Sequence, residues 1–152
     1  MKSEPSVYSI DDLSRDRTTH WNGVRNFKAR NYMRSMVVGD GVFFYHSNAD
    51  PKAIVGIARV SREAYPDFTQ FDKKNEYYEP KASQEKPYWY MVDVEFVKKL
   101  GEPLSLERLR EVKELSGMAL LKKGQRLSVQ PVTEEEWKTI CKLAGASLAV
   151  VS

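Results

Sequence analysis

Val42-Phe43-Phe44-Tyr45 is the stretch that most restricts the fold. Four large apolar residues stand in a row, entered from the turn signal Gly39-Asp40-Gly41 and left through Asn48-Ala49-Asp50-Pro51. They read as a strand, residues 42–47, without a polar face. Side chains alternate across a strand, so one that is apolar on both faces must be central and covered on both sides. Ala53 to Val60 returns as a neighbouring strand, and Gly56 within it marks a bulge or a close backbone approach.

Tyr88 to Val97 carries the clearest period of two. Tyr90, Val92, Val94 and Phe96 fall on one face; Trp89, Met91, Asp93 and Glu95 fall on the other. Shorter strands are expected at Val7–Ile10, running into a helical turn, and at Arg126–Gln130. Caps mark the helices: Ser9 with Asp12, and Thr133 with Glu136, have capping-box spacing. Ser105 opens a helix with Leu106, Leu109 and Val112 inward, and Leu115 to Leu121 forms a further short helical piece. A helix from near Asn26 to before Gly39 sets Ala29, Tyr32, Met33 and Met36 on one face and Arg30, Asn31 and Arg34 on the opposite one. Residues 61–87 are aromatic and acidic without a period and read as a structured excursion. The expected fold is α+β, a curved mixed or antiparallel sheet or small barrel with flanking helices.

Composition narrows the chemistry. A chain of 152 residues is one domain's worth, and it buries enough surface, roughly 68–70%, to need no staple. One cysteine, Cys141, and two histidines exclude an internal disulfide and multi-cysteine zinc or iron–sulfur sites. No apolar run approaches the roughly 18 residues of a membrane span, and Met1 to Pro5 lacks the basic and apolar regions of a signal peptide. The expectation is a cytoplasmic single domain, residues 1–152, monomeric, without metal or cofactor. Net charge is only +3, but Arg15 to Met36 holds six basic residues against Asp16 alone, whereas Arg62 to Glu95 holds five against eight acidic ones. That asymmetry points to one basic face, of the kind that neutralises phosphates.

Conventional catalytic signatures are missing: there is no Gly-rich phosphate loop and no G-x-S-x-G. His46 has no carboxylate beside it in sequence to orient it as a base, and Cys141 lies on an amphipathic helix. Two tryptophans stand out instead. Trp89 shares its strand face with Asp93 and Glu95, and Trp21 sits in the polar frame His20-Trp21-Asn22-Gly23 just before the basic helix. Each is either a core residue or a pocket wall, where an indole offers a π-face and an N–H. Ser128 lies with Arg126 and Gln130 on the polar face of the expected 126–130 strand, a donor and acceptor set suited to reading a base edge. Arg25, Arg30 and Arg34 are the expected phosphate contacts.

These residues resemble a known family. Lys2-Ser3-Glu4-Pro5 with Tyr8-Ser9-Ile10-Asp11-Asp12-Leu13, then Trp21-Asn22-Gly23-Val24-Arg25-Asn26-Phe27 with Ala29-Arg30-Asn31, are similar to the opening signatures of EVE-domain proteins. Gly39-Asp40, Phe44 to Asn48, Val55 to Ala58, Pro87-Tyr88-Trp89 with Val92-Asp93-Val94, and Leu127 to Val132 continue the resemblance across residues 2–144. It implies a PUA-like pseudo-barrel, related to YTH, ASCH and SRA-type domains, that binds DNA or RNA and holds a modified base without catalysis. It also implies a pocket at Trp21, Arg25, Asn26, Tyr45, Ser47, Trp89 and Ser128, edged by Ser3, Glu4 and His46. Gly145 to Ser152 fall outside the resemblance and are expected to form a loosely ordered tail. Two other readings stay open: an enzyme acting on a nucleotide or RNA with His46 as acid–base residue, and a pocket for a small metabolite or a protein.

Overall fold

The structure, a computed structural model, describes residues 1–124 and 126–145. In chain order it contains β1 (Lys2–Ser3), α1 (Ile10–Asp16), β2 (Thr18–His20), α2 (Phe27–Arg34), β3 (Gly41–His46), β4 (Ala53–Pro66), β5 (Tyr90–Ser105), α3 (Leu106–Arg110) and α4 (Glu134–Leu143). Short 3₁₀ turns lie at Phe68–Phe71, Lys113–Leu115 and Ala119–Leu121. The five strands form one open sheet in the order β1-β3-β4-β5-β2. β1 runs parallel to β3, and the other pairs are antiparallel. The α+β expectation holds, with a mixed sheet whose edges do not meet.

β3 lies inside the sheet, and its alternation divides the core. Val42 and Phe44 enter the cluster under α1 and α2, with Ile10, Leu13, Ala29 and Met33. Phe43 and Tyr45 enter the opposite cluster with Leu109, Leu115, Ile140 and Cys141. Phe44 is fully buried, a burial of the kind that contributes about 1.5–3 kcal/mol per large apolar side chain. β4 and β5 shift register at four places between Ile54 and Tyr65. Each shift bends and twists the strands, which curves the sheet around the α1/α2 face.

Both capping boxes form. Ser9 Oγ accepts from Asp12 N–H, and Thr133 Oγ1 accepts from Glu136 N–H, each with the reciprocal bond present. Ser105 caps α3 as expected. Two strand expectations need correction, and one strand, β2, has no counterpart among them. Val7–Ile10 is a turn leading into α1: the amides of Val7 and Tyr8 both donate to Glu4 O, and the strand sits earlier, at Lys2–Ser3. Arg126 and residues 127–130 form no strand, because Ser128 O accepts a lone bond from Lys2 N–H and the Gln130 side chain turns back onto Leu127 O. β2, only three residues of polar side chains, carries too little pattern to be seen in the sequence. Boundaries also move: α2 ends at Arg34, β4 runs on to Pro66, and the strand expected at Tyr88–Val97 spans Tyr90–Ser105. The expected tail, apart from Gly145, lies outside the described residues. Among those described, no helix is long and apolar enough to cross a membrane.

Gly56 faces α1. A Cβ there would collide with the Ile10 side chain and stand 2.9 Å from the Lys98 carbonyl. The glycine is therefore what lets α1 lie directly on β4. Gly56→Ala is expected to destabilise the protein by about 1–3 kcal/mol, the range for overpacking a filled core. Chemical denaturation measures it, and an unchanged midpoint would show that α1 can lift without loss.

Candidate nucleic-acid interface

The segment that links β2 to α2 is shaped by one carboxylate. Asp67 is fully buried and accepts from Gly23 N–H at 2.8 Å, Arg25 Nη1 at 3.0 Å and Thr69 N–H at 2.8 Å, with the Thr69 hydroxyl as a fourth donor. Four donors satisfy the charge that burial would otherwise penalise. Arg25 then reaches on, donating from Nη2 to Tyr77 O and Thr69 Oγ1, both at 2.9 Å. Gln70, also fully buried, holds the start of β5: its Oε1 accepts from the amides of Tyr88 and Trp89, and its Nε2 donates to Trp89 O. The excursion that follows β4, residues 67–87, is thus tied to the linker and to the start of β5 by buried polar bonds in place of a sheet ladder.

Gly23 adopts φ +83°, and a Cβ on it would stand 2.8 Å from the Tyr77 ring. This close approach makes Tyr77 a wall. Between Tyr77, the Trp21–Val24 segment, β1 and Ser128 lies a cavity of about 530 Å³, which Ser3, Glu4, Tyr8 and His20 also line. Trp21 is 9% exposed; its indole packs edge-to-face on Phe44 at 5.5 Å and lines the cavity floor. Burial, reinforced by Lys52, holds the Lys2 ammonium at this cavity below the usual lysine range. Hydroxyls, the Glu4 and Glu76 carboxylates and aromatic rings together can hydrogen-bond the edge of a flat heterocycle and pack against its face.

Of the expected site residues, Ser3, Glu4, Trp21 and Ser128 meet in this cavity. The others do not line it. Arg25 lies behind the Tyr77 wall, one-fifth exposed. Asn26 is spent as the α2 cap, its Oδ1 accepting from Lys28 and Ala29 amides. Tyr45 points into the opposite core. His46 Nε2 accepts from Ile10 N–H at 3.1 Å, which commits that ring nitrogen to a helix start. Ser47 N–H donates to Ser3 O at 3.0 Å and so orders the cavity edge from outside. Trp89 is 7% exposed and stacks on Phe27 at 4.8 Å, with its Nε1 unpaired. Its charged strand neighbours do not make it a pocket wall, because Phe27 closes over the ring. Sequence reasoning missed Asp67, Gly23 and Tyr77. The one available signal was Asp67 two residues before Thr69, an Asp poised to cap a turn.

The basic helix presents Arg30 and Arg34, four residues apart, on one side. Arg34 lies 4.5 Å over the Tyr90 ring, and Arg30 lies 4.7 Å over Phe27 while donating to Tyr88 O. Neither has an acidic partner among the described residues. A second cavity, about 560 Å³, lies between Tyr32, Phe43 and Trp137, but its charged lining is Asp40 and Glu134. The first cavity also carries two carboxylates, Glu4 and Glu76, but it adds Lys2 and lies next to the segment that leads into the basic helix.

The sequence pattern of the EVE domain matches residues 1–143. Mouse (Mus musculus) thymocyte nuclear protein 1 is 42% identical over 94% of this chain and 71% of its own length. A solved protein from Pseudomonas putida superposes with a TM-score of 0.91 at 46% identity, covering 95% of this chain and 97% of that one. The human THYN1 protein, solved in complex with 5-methylcytosine-containing DNA, superposes at 0.88 with 40% identity, covering 97% and 96%.

Two substitutions separate scaffold from cavity. Asp67→Asn removes the charge facing Arg25 and is expected to destabilise the fold by about 3–5 kcal/mol, the usual consequence of breaking a buried pair; urea denaturation reads this, and a loss below 1 kcal/mol would refute the role. Trp89→Ala is expected to lose about 3–5 kcal/mol as a truncated core aromatic. Its remaining folded fraction should still bind whatever the cavity binds, and loss of that binding at full stability would return Trp89 to the site.

Proposed function

The chain belongs to the EVE domain family, and from that premise we propose that its cavity captures one extruded base of DNA, a methylated cytosine, without transforming it. The carrying observation is that Ser3, Glu4, Trp21 and Ser128, far apart in sequence, line a single cavity. The related human THYN1 protein in complex with 5-methylcytosine-containing DNA supports a methylated base as ligand. Ser3, Glu4 and Ser128 would pair with the edge of the base, and Trp21 with Tyr77 would pack against its faces. A methyl group filling apolar space in such a pocket is worth about 1–3 kcal/mol of discrimination. Arg30 and Arg34 would meet the flanking phosphates, a contribution that weakens with salt and carries no base specificity.

Binding without chemistry fits the placement of the candidate base, since His46 Nε2 already accepts the Ile10 amide. Filling the cavity is the direct test. The Ser128 backbone bond to Lys2 N–H does not depend on its side chain, so Ser128→Phe should leave the melting temperature near the parent's. It should lower affinity for an oligonucleotide with one 5-methylcytosine by roughly 5- to 150-fold and erase the preference over cytosine. Fluorescence anisotropy measures both, and retained preference in the filled variant would sink base capture.

A further inference from the structure

Beside the cavity, on the side of His20, lies a patch that base capture leaves unused. Phe68 is 52% exposed at the start of its 3₁₀ turn, with its ring 5.6 Å from the His20 imidazole and nearly perpendicular to it. His20 is fixed in place: its Nδ1 donates to Asp93 Oδ1 at 2.9 Å, and Tyr65 donates its hydroxyl to the same oxygen at 2.6 Å. Burial, with the Asp93 carboxylate adding to it, pushes Tyr65 up to about 12, so the phenol keeps its proton. The Arg62 guanidinium lies 3.6 Å over the Tyr65 ring. Neighbouring carboxylates are engaged elsewhere: Asp93 by Tyr65 and His20, Glu95 by Arg59, and Glu63 by the Val38 amide. Arg62 therefore has no ion-pair partner among the described residues.

An exposed aromatic face and an unpaired cation, linked through His20 and Tyr65, offer what the two halves of a nucleotide need: a face for a base to stack on and a charge for a phosphate. His20 belongs to the patch and to the cavity lining, so the two are continuous. Resting on the base-capture reading, we propose that Phe68, His20, Tyr65 and Arg62 form a second subsite for the nucleotide next to the captured one. Its base stacks on Phe68 and its phosphate meets Arg62. The preferred ligand is then a strand, and a free nucleoside satisfies only half of the surface.

Phe68→Ala and Arg62→Gln test this, since both side chains are on the surface and thermal melting confirms the fold. Each is compared with the parent on an oligonucleotide carrying one 5-methylcytosine, on the same oligonucleotide with cytosine, and on 5-methyl-2′-deoxycytidine alone. Phe68→Ala should weaken both oligonucleotides at least about fivefold while keeping their ratio. Arg62→Gln should weaken both and reduce the salt slope by about one phosphate contact. The nucleoside, followed by NMR titration, should bind parent and Phe68→Ala alike. Unchanged oligonucleotide affinity in both variants overturns the subsite and leaves base capture standing. An equal loss on the nucleoside also overturns it, because Phe68 would then act through the cavity. A parent protein that binds neither oligonucleotide overturns base capture and the subsite together.

Discussion

The buried Asp67–Arg25 pair is the interaction on which the cavity depends. A fully buried carboxylate would be intolerable alone; four donors make it stable, and two of them, Gly23 N–H and the Arg25 guanidinium, come from the segment that enters α2. The same guanidinium grips the Tyr77 carbonyl. One ion pair thereby fixes both the linker and the ring that faces it. Without it the 67–87 stretch, poor in regular structure, is held against the sheet mainly through Gln70 and the Asp67 N–H bond to Trp89 O.

The sheet supplies the rigidity behind this arrangement. β3 feeds two separate apolar clusters through alternate residues, so helices and 3₁₀ turns are held on both faces. β1 is only two residues long, yet it is locked by its pairing with Tyr45 and His46 and by the Lys2 N–H bond to Ser128 O at 2.8 Å. That bond carries residue 128 from the far end of the chain to the side of Ser3. The cavity is thus closed by contacts between termini, and its lining is set by tertiary packing.

Scaffold and surface roles divide cleanly among the basic and aromatic residues. Arg25 is internal, with its guanidinium near both the Tyr77 and Trp89 rings. Arg30 and Arg34 lie over Phe27 and Tyr90 and keep charge on the outside of α2. Trp89 is a core support, Trp21 is a core residue with one margin in the cavity, and Phe68 is half-exposed. Charge in the sequence reported that a basic face exists; it could not report which arginines are consumed inside.

Local signals were legible because they depend on neighbours in the chain. The Ser9–Asp12 and Thr133–Glu136 capping boxes, the doubly buried 42–45 strand, the amphipathic α2 and the alternation through 90–96 all follow from spacing alone. The resemblance added the family and, with it, Ser3 and Glu4, while Trp21 and Ser128 already stood out in the residues themselves. Other features had no local signature. The 126–130 segment reads as a strand but finds no ladder, and Trp89, which reads as either a core residue or a pocket wall, is covered by Phe27. Asp67 became the organising residue only because folding placed it 2.8 Å from the Gly23 amide. By itself the sequence determined the period of the longer elements, the Ser9, Ser105 and Thr133 caps and the two-sided core, since these are properties of adjacent residues. Tertiary structure alone decided which polar groups are buried together, because the energy of a buried charge is set by donors that arrive from distant parts of the chain.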